Sequence, residues 1–170
     1  GITYLRLNTD TQQHAYVLRP GETDAPDDLK RALARGNRLQ DILTGNFRVG
    51  RTGNEILAAS RAQAIEEGIE PSIYTHPIGF HGHAAGTTIG MWDAQDGVPG
   101  DGDYPMQPDT AYSIELYAAT EIEAWGGKKV RIKLEEDAFF DGETVRYIDG
   151  RQTDFLLIPR PAGACCTPTP

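Results

Sequence analysis

A chain of 170 residues, 39% of them hydrophobic and 24% charged, is long enough for one domain that buries about 70% of the surface of its unfolded form. Its formal net charge of −9 disfavours broad contact with nucleic acid phosphates, and no apolar run approaches the ~20 residues of a membrane span. The only cysteines, Cys165 and Cys166, are adjacent, which excludes a disulfide framework and a cysteine-based zinc site.

The first twenty residues alternate between strand-forming and turn-forming composition. Residues 2–7 are rich in β-formers, residues 8–11 form a turn-like cluster, and residues 14–18 resume a strand before Pro20 and Gly21. We predict a hairpin or two linked strands with Asp10 near the bend. Taken alone, Asp10 is interpreted as a turn residue.

Two helices follow. Proline is tolerated in a first helical turn and acids there suit the helix dipole, so Pro26, Asp27 and Asp28 predict a helix start. Its inward face is predicted to comprise Leu29, Ala32, Leu33, Gly36, Leu39 and Leu43. Residues 52–55 have the form of a capping box, which predicts a second helix that continues up to Gly68. Its packed stripe is expected at Ile56, Ala59, Ala62 and Ile65.

A glycine-rich loop at 74–86 contains three of the four histidines, His76, His81 and His83. Neutral imidazole is a metal ligand and an acid–base group near pH 7, and glycine lets the backbone bring such rings together. The same pattern also occurs in ordinary tight turns. After this loop we predict a short strand at 87–92 and a surface loop at 96–103, whose acids lack the spacing of a calcium-binding EF-hand.

The second half of the chain is predicted to be β-structure. Residues 111–118 and 129–135 alternate between apolar and polar side chains, and residues 139–148 suggest a closing hairpin with a glycine turn. No internal repeat or linker divides the chain, so residues 1–159 are expected to form one domain, followed by a disordered Pro/Gly-rich tail at 160–170.

Four side chains from distant parts of the sequence have metal-binding chemistry. If the two alternating strands are neighbours, Glu115 and Glu135 share a polar face, to which His83 and Asp10 could be added. One imidazole and three carboxylates suit one or two divalent cations such as Mn, Co, Fe or Zn, and carboxylates can bridge two ions ~3.5–4 Å apart. Alternatively, the two glutamates are exposed strand residues and His83 lies in a turn. Spacing alone leaves both interpretations open.

Four short motifs occur in a fixed order: residues 1–3 leading to Asp10, residues 82–86 (Gly-His-Ala-Ala-Gly), residues 113–115 (Ser-Ile-Glu) and residues 133–137 (Lys-Leu-Glu-Glu-Asp). With these motifs the chain resembles the pita-bread metallopeptidase family of methionine aminopeptidase, aminopeptidase P, prolidase and creatinase. It is most similar to bacterial proteins of the Xaa-Pro aminopeptidase type. The resemblance implies an α+β pita-bread fold, a curved antiparallel sheet covered by helices, here incomplete at the N-terminus.

The resemblance also implies a dinuclear metal site. Asp10 and Glu135 would be shared between two divalent ions, and His83 and Glu115 would complete the shell of one of them. Manganese is the expected metal, with Co, Zn or Fe as alternatives. In the family the other ion is held chiefly by an Asp at a position ahead of Gly1, so that site is expected to be impaired in this chain.

The catalytic residues implied are Glu115 as proton acceptor and His83 beside the metal. The family's second histidine falls at Gly90, so His76 and His81 are candidates to replace it, and Lys133 is expected to orient Glu135. The expected activity is that of a metallo-aminopeptidase, with Xaa-Pro bonds as the narrower prediction. A peptide is the expected partner, with no nucleic acid and no membrane, and a homodimer is expected for the full-length protein.

Two other functions are compatible with the sequence. The missing Asp and the missing second histidine favour a non-catalytic peptide- or protein-binding module of the same fold with an incomplete metal site. A creatinase-like hydrolase that breaks a C–N bond without metal is the third hypothesis, but such a protein would be expected to lose the carboxylate set. The sequence does not indicate the compartment.

Overall fold

The computed structural model describes residues 8–80, 82–83 and 86–160, with the main chain but not the side chain of His83. Strand β1 comprises Ala15–Val17, helix α1 Asp27–Gly45 and helix α2 Gly53–Glu66, and these are followed by β2 Glu70–Ile73, β3 His76–Gly79 and β4 Gly82–His83. The long strands β5 Thr110–Ile122 and β6 Lys128–Phe140 precede β7 Val145–Tyr147 and β8 Leu156–Ile158. Among the helices of the described ranges, none combines the length and apolar character needed to cross a membrane.

Helix α1 confirms the predicted start and the predicted inward face. Pro26 occupies the N-cap position, and Asp27 and Asp28 lie in the first turn. All six side-chain positions expected to face inward are buried, Gly36 among them. A Cβ at Gly36 would lie 2.9 Å from Leu134 Cδ1, so the helix approaches β6 closely at this point.

Helix α2 confirms the capping box but not the predicted stripe. The Thr52 hydroxyl accepts a hydrogen bond from the Glu55 N–H, and the Glu55 carboxylate accepts one from the Thr52 N–H. Of the predicted stripe, Ala62 and Ile65 are exposed. The buried face instead contains Gly53, Ile56, Leu57, Ser60 and Ala64. A step of three residues rotates about 300° around a helix, so a pattern of period three drifts off the packed face, whereas steps of four partly correct the drift.

A six-stranded sheet of order β4-β3-β5-β6-β7 forms the body of the described structure, with β2 also paired to β5. All of its pairings are antiparallel. Strands β5 and β6 run side by side for their whole length, and the hairpin of β6 and β7 was predicted. The predicted strand at 87–92 is absent there: Ile89 and Met91 make only isolated bridges. Gly90 has φ +72°, outside the extended region of a strand, so the backbone turns here and no regular ladder continues through the segment.

The two faces of the sheet differ in chemistry, as the alternation predicted. One face of β5 and β6 packs against α1, whereas α2 packs against β2 of the same sheet. The side chains of this face belong to the hydrophobic core; they include Tyr112, Ile114, Leu116, Ala118, Ile132, Leu134, Ala138 and Phe140. Because successive side chains of a strand point to opposite faces, Ser113, Glu115, Lys133, Glu135 and Asp137 lie on the other face, here called the open face.

The segment that precedes β1 crosses the neighbouring strand β6. Gln12 makes an isolated bridge to Glu135, and β1 then pairs in parallel with β8 as a separate two-stranded sheet. The predicted partner strand at 2–7 and residues 161–170 of the predicted tail at 160–170 lie outside the described residues. The observed fold therefore brings Asp10, from the start of the chain, against the centre of the sheet.

Candidate active site

Two glutamates from neighbouring strands form the floor of the candidate site. Glu115 of β5 and Glu135 of β6 are direct antiparallel partners, and both lie on the open face. Glu135 is 5% exposed. Its carboxylate accepts hydrogen bonds from Ser113 Oγ at 3.2 Å and from Gln12 Nε2 at 2.5 Å. The pairing matches the first of the two arrangements that the sequence left open, in which the two alternating strands are neighbours.

Asp10 reaches the same face through the irregular segment that precedes β1. Its backbone N–H donates to Asp137 Oδ1 at 3.2 Å, and Gln12 N donates to the Glu135 carbonyl oxygen at 2.9 Å. Asp10 is therefore held by its own main chain and by the neighbouring Gln12, which leaves its carboxylate directed towards the cluster. The carboxylate, 34% exposed, lies 3.7 Å from His76 Nε2.

His76 is the imidazole that the described structure brings to these carboxylates. It lies on β3 opposite Ser113, its side chain is 4% exposed, and its Nε2 is 3.9 Å from Glu115 Oε2. Its Nδ1 contacts the Pro77 carbonyl oxygen at 3.1 Å. A carbonyl can only accept, so Nδ1 carries a proton, and in the neutral ring Nε2 presents a lone pair to the acids.

The donor set fits a divalent cation. One ligand atom each from Asp10, His76 and Glu135 lies within 4.8 Å of the other two. Ligands bound at about 2.0–2.2 Å from one ion are separated by distances of this order. Glu115 lies at the margin of this group through its contact with His76. Two to three carboxylates with one imidazole suit Mn, Fe, Co or Zn.

Burial and the repulsion between like charges raise the pKa values of two acids of the cluster. Burial, with the neighbouring charges of Glu135 and Asp10, raises the pKa of Glu115 to about 7, and Lys133 opposes this rise. Burial likewise raises the pKa of Glu135, an effect opposed by the Gln12 hydrogen bond. A bound cation would relieve this repulsion, because it favours the ionised carboxylates.

The other predicted histidines are not located by the structure. The main chain of His83 pairs with Ile78 in β4, but its side chain lies outside the described part, as does His81 altogether. Position 90, where the family has a second histidine, has φ +72°, and a Cβ there would lie 2.2 Å from the Ile73 carbonyl oxygen. This backbone therefore admits no histidine side chain at position 90.

Lys133 does not hold Glu135, contrary to the sequence-based expectation. The carboxylate of Glu135 is hydrogen-bonded by Gln12 and Ser113, whereas the charge of Lys133 acts on Glu115. Gln12 and Ser113 are not among the site residues predicted from the sequence. Ser113 lies two residues before Glu115 on β5, and this alternation indicates that both side chains share a face. No sequence pattern indicates the position of Gln12.

Comparison with known proteins relates the fold to peptidases. The X-Pro aminopeptidase from Thermotoga maritima MSB8 is similar with a TM-score of 0.64 at 15% identity, over 90% of this chain and 38% of that one. The Xaa-Pro dipeptidase from Bacillus anthracis is similar with a TM-score of 0.60 at 18% identity, over 90% of this chain and 38% of that one. The methionine aminopeptidase from Rickettsia prowazekii is similar with a TM-score of 0.52 at 14% identity, over 73% of this chain and 53% of that one.

The chain spans 38% of the length of the first two of these proteins. No protein-family model matches the sequence, and no curated protein is similar to it at the sequence level. The likeness is therefore one of three-dimensional structure. Two helices on one face of an antiparallel sheet, with acids on the other face, give this chain the pita-bread fold of metallopeptidases.

Proposed function

We propose that this chain is the catalytic part of a metal-dependent peptidase that hydrolyses the N-terminal peptide bond of peptides. The observation that carries the proposal is the convergence of Asp10, His76 and Glu135 within 4.8 Å, beside Glu115, on the open face. The pita-bread fold supports the same function, since proteins of this fold include an X-Pro aminopeptidase and a methionine aminopeptidase.

Each side chain of the cluster has a proposed role. Asp10, His76 and Glu135 would hold a divalent cation, and His83 is a further candidate ligand by resemblance. A cation bound there supplies Lewis acidity towards a peptide carbonyl and towards water. Glu115, at the margin of the cluster, accepts the proton of the attacking water and passes it to the leaving amine. The acid-rich open face also suits the ammonium group of a peptide N-terminus.

The narrower parts of the proposal concern the metal content and the peptide bond. A dinuclear centre with manganese follows from the family resemblance. Preference for Xaa-Pro bonds has the same origin, supported by the similar fold of the T. maritima and B. anthracis proteins. The substrate preference is therefore tested separately from hydrolysis itself.

The test combines metal content with hydrolysis. After dialysis, the bound metal is measured, and release of the first amino acid is followed for Ala-Pro and Ala-Ala peptides with added Mn²⁺. The same assays are run on a chain extended at its N-terminus. We expect metal-dependent hydrolysis that is lost in Glu135→Gln and kept in the exposed control Glu121→Gln. Absence of metal and of hydrolysis in both chains would instead identify a non-catalytic binding module.

A further inference from the structure

Gln152, between β7 and β8, connects three separate parts of the chain. It is 8% exposed. Its side-chain Oε1 accepts from the His14 N–H at 2.6 Å, and its Nε2 donates to the His14 carbonyl oxygen at 2.7 Å. Its backbone N–H donates to Glu136 Oε1 at 2.9 Å, and its carbonyl accepts from Asn37 Nδ2 at 3.0 Å. All four polar groups of one buried residue are therefore engaged.

His14 lies at the point where the segment bearing Asp10 joins β1. Within residues 10–14, Gln12 makes the one backbone bridge to the main sheet, with Glu135. Asp10 is also bonded to Asp137 and Ser113, and the His14 ring Nε2 contacts the Lys133 carbonyl oxygen of β6. From Ala15 onwards the chain is held by the ladder with β8, and Leu156 N also donates to the His14 carbonyl oxygen. The His14 N–H depends on Gln152 alone for the bond recorded there. Gln152 thus fixes the boundary between a regular strand and the segment that carries Asp10.

Hydrogen bonds from Gln12 and Gln152 hold side chains on the two opposite faces of strand β6. Glu135 and Glu136 are consecutive, so their side chains point to opposite faces. On the open face the Glu135 carboxylate is held by Gln12, and on the core side the Glu136 carboxylate is held by the Gln152 N–H. Gln152 also bonds His14, which lies two residues after Gln12 in the chain. The hydrogen bonds on the two faces of β6 are therefore connected through residues 12–14.

We infer that Gln152 is a positioning residue for the candidate metal cluster. Through its two bonds to His14 it contributes, together with the Asp10 bond to Asp137, to where Asp10 and Gln12 lie relative to Glu135, although it touches none of the proposed ligands. A displacement of about 1 Å is enough to impair a metal or catalytic constellation, so the two bonds to His14 matter for affinity. This inference rests on the proposed function, since it assumes that the cluster binds a cation.

The structure provides a selective variant and a matched control. Gln152→Ala removes only the two side-chain bonds to His14 and keeps the backbone bonds to Glu136 and Asn37. Arg151→Ala removes the 2.6 Å bond to Asp41 and the 3.4 Å bond to the Asn37 carbonyl oxygen, which tie the same segment to α1 without contacting residues 10–14. The two variants therefore weaken the same region but differ in their effect on the position of Asp10.

The experiment measures Mn²⁺ affinity by calorimetry, the visible spectrum of the Co²⁺-loaded protein, and the urea midpoint. We expect Gln152→Ala to bind Mn²⁺ up to about 10-fold more weakly, the lower end of the range for losing a residue bonded directly to a metal ligand, because Gln152 acts through His14. Its Co²⁺ spectrum should also change. Arg151→Ala should keep the wild-type affinity and spectrum even where its urea midpoint falls.

Equal affinities for the two variants would overturn the inference while leaving the proposed function intact. If the wild-type chain itself binds no metal, the proposed function fails, and hydrogen exchange at the Gln12 N–H decides the positioning role. This amide donates to the Glu135 carbonyl. Faster exchange in Gln152→Ala than in Arg151→Ala supports the role, and equal exchange rejects it.

Discussion

Replacing Glu115 with glutamine tests the electrostatic description of the cluster. In the metal-free protein, burial and the charges of Glu135 and Asp10 raise the pKa of this carboxyl from 4.5 to about 7. The ionisable groups that face it are these two acids, Lys133, His76 and Tyr74. Because the folded state holds the proton more tightly than the unfolded state, the stabilising effect of the protonated form is complete below pH 4.5 and is lost as the pH rises through 7.

The magnitude follows from the interval between the two pKa values. At ~1.36 kcal/mol for each pH unit, the rise from 4.5 to about 7 corresponds to about 3 kcal/mol in the free energy of unfolding. The side chain is 26% exposed, so solvent screening reduces this to about 2 kcal/mol. Glutamine cannot ionise. The variant should therefore become more stable relative to wild type by about this amount between pH 4.5 and pH 8.

Urea unfolding in EDTA at pH 4.5, 6, 7 and 8 measures the effect. Glu121→Gln, at an exposed position on the same strand, is the control, and its difference from wild type should stay constant over this range. A difference for Glu115→Gln that is constant with pH, or that falls as pH rises, would refute the electrostatic account. Added Mn²⁺ should stabilise the wild type more than the variant at pH 8 if the cluster binds the cation.

The remaining predictions concern metal binding and the packing of α2. Glu135→Gln should abolish Mn²⁺ binding in calorimetry, whereas Glu136→Gln, on the core side and bonded to the Gln152 N–H, should keep most of it; equal losses would contradict the observed faces of β6. Gly53→Ala should lower the free energy of unfolding by about 1–3 kcal/mol or more in a urea titration, because its Cβ would lie 1.9 Å from the Thr88 carbonyl oxygen. Thr52→Ala should cost about 1 kcal/mol by the same measurement through loss of the capping box, and no change would show that the cap is dispensable.

Regular, uninterrupted patterns were the part of the fold that the sequence predicted best. The alternation in β5 and β6 predicted that Glu115 and Glu135 share a face, and the capping box located the start of α2. The predicted strand at 87–92 failed because the backbone turns at Gly90, whose φ of +72° lies outside the extended region of a strand. The stripe on α2 failed because a period of three was assumed where packing follows a period near 3.6.

The candidate site was harder to predict because irregular segments supply part of it. His76 precedes proline on a four-residue strand, so neither periodicity nor strand propensity shows that it faces the acids. Gln12 and Gln152 act through side-chain bonds to distant residues, and such bonds have no spacing in sequence. The resemblance, by contrast, assigned the metal-binding role to His83, whose side chain lies outside the described residues.

The energetic cost of the cluster is itself an argument for a cation. Like charges directly opposite each other on neighbouring strands are destabilising, and Glu115 and Glu135 are such a pair, with Asp10 beside them. Hydrogen bonds from Gln12 and Ser113 offset part of this cost at Glu135. A sheet that served only packing would be more stable with neutral side chains at these positions, so the energetic cost of the acids supports the proposal that a cation binds between them.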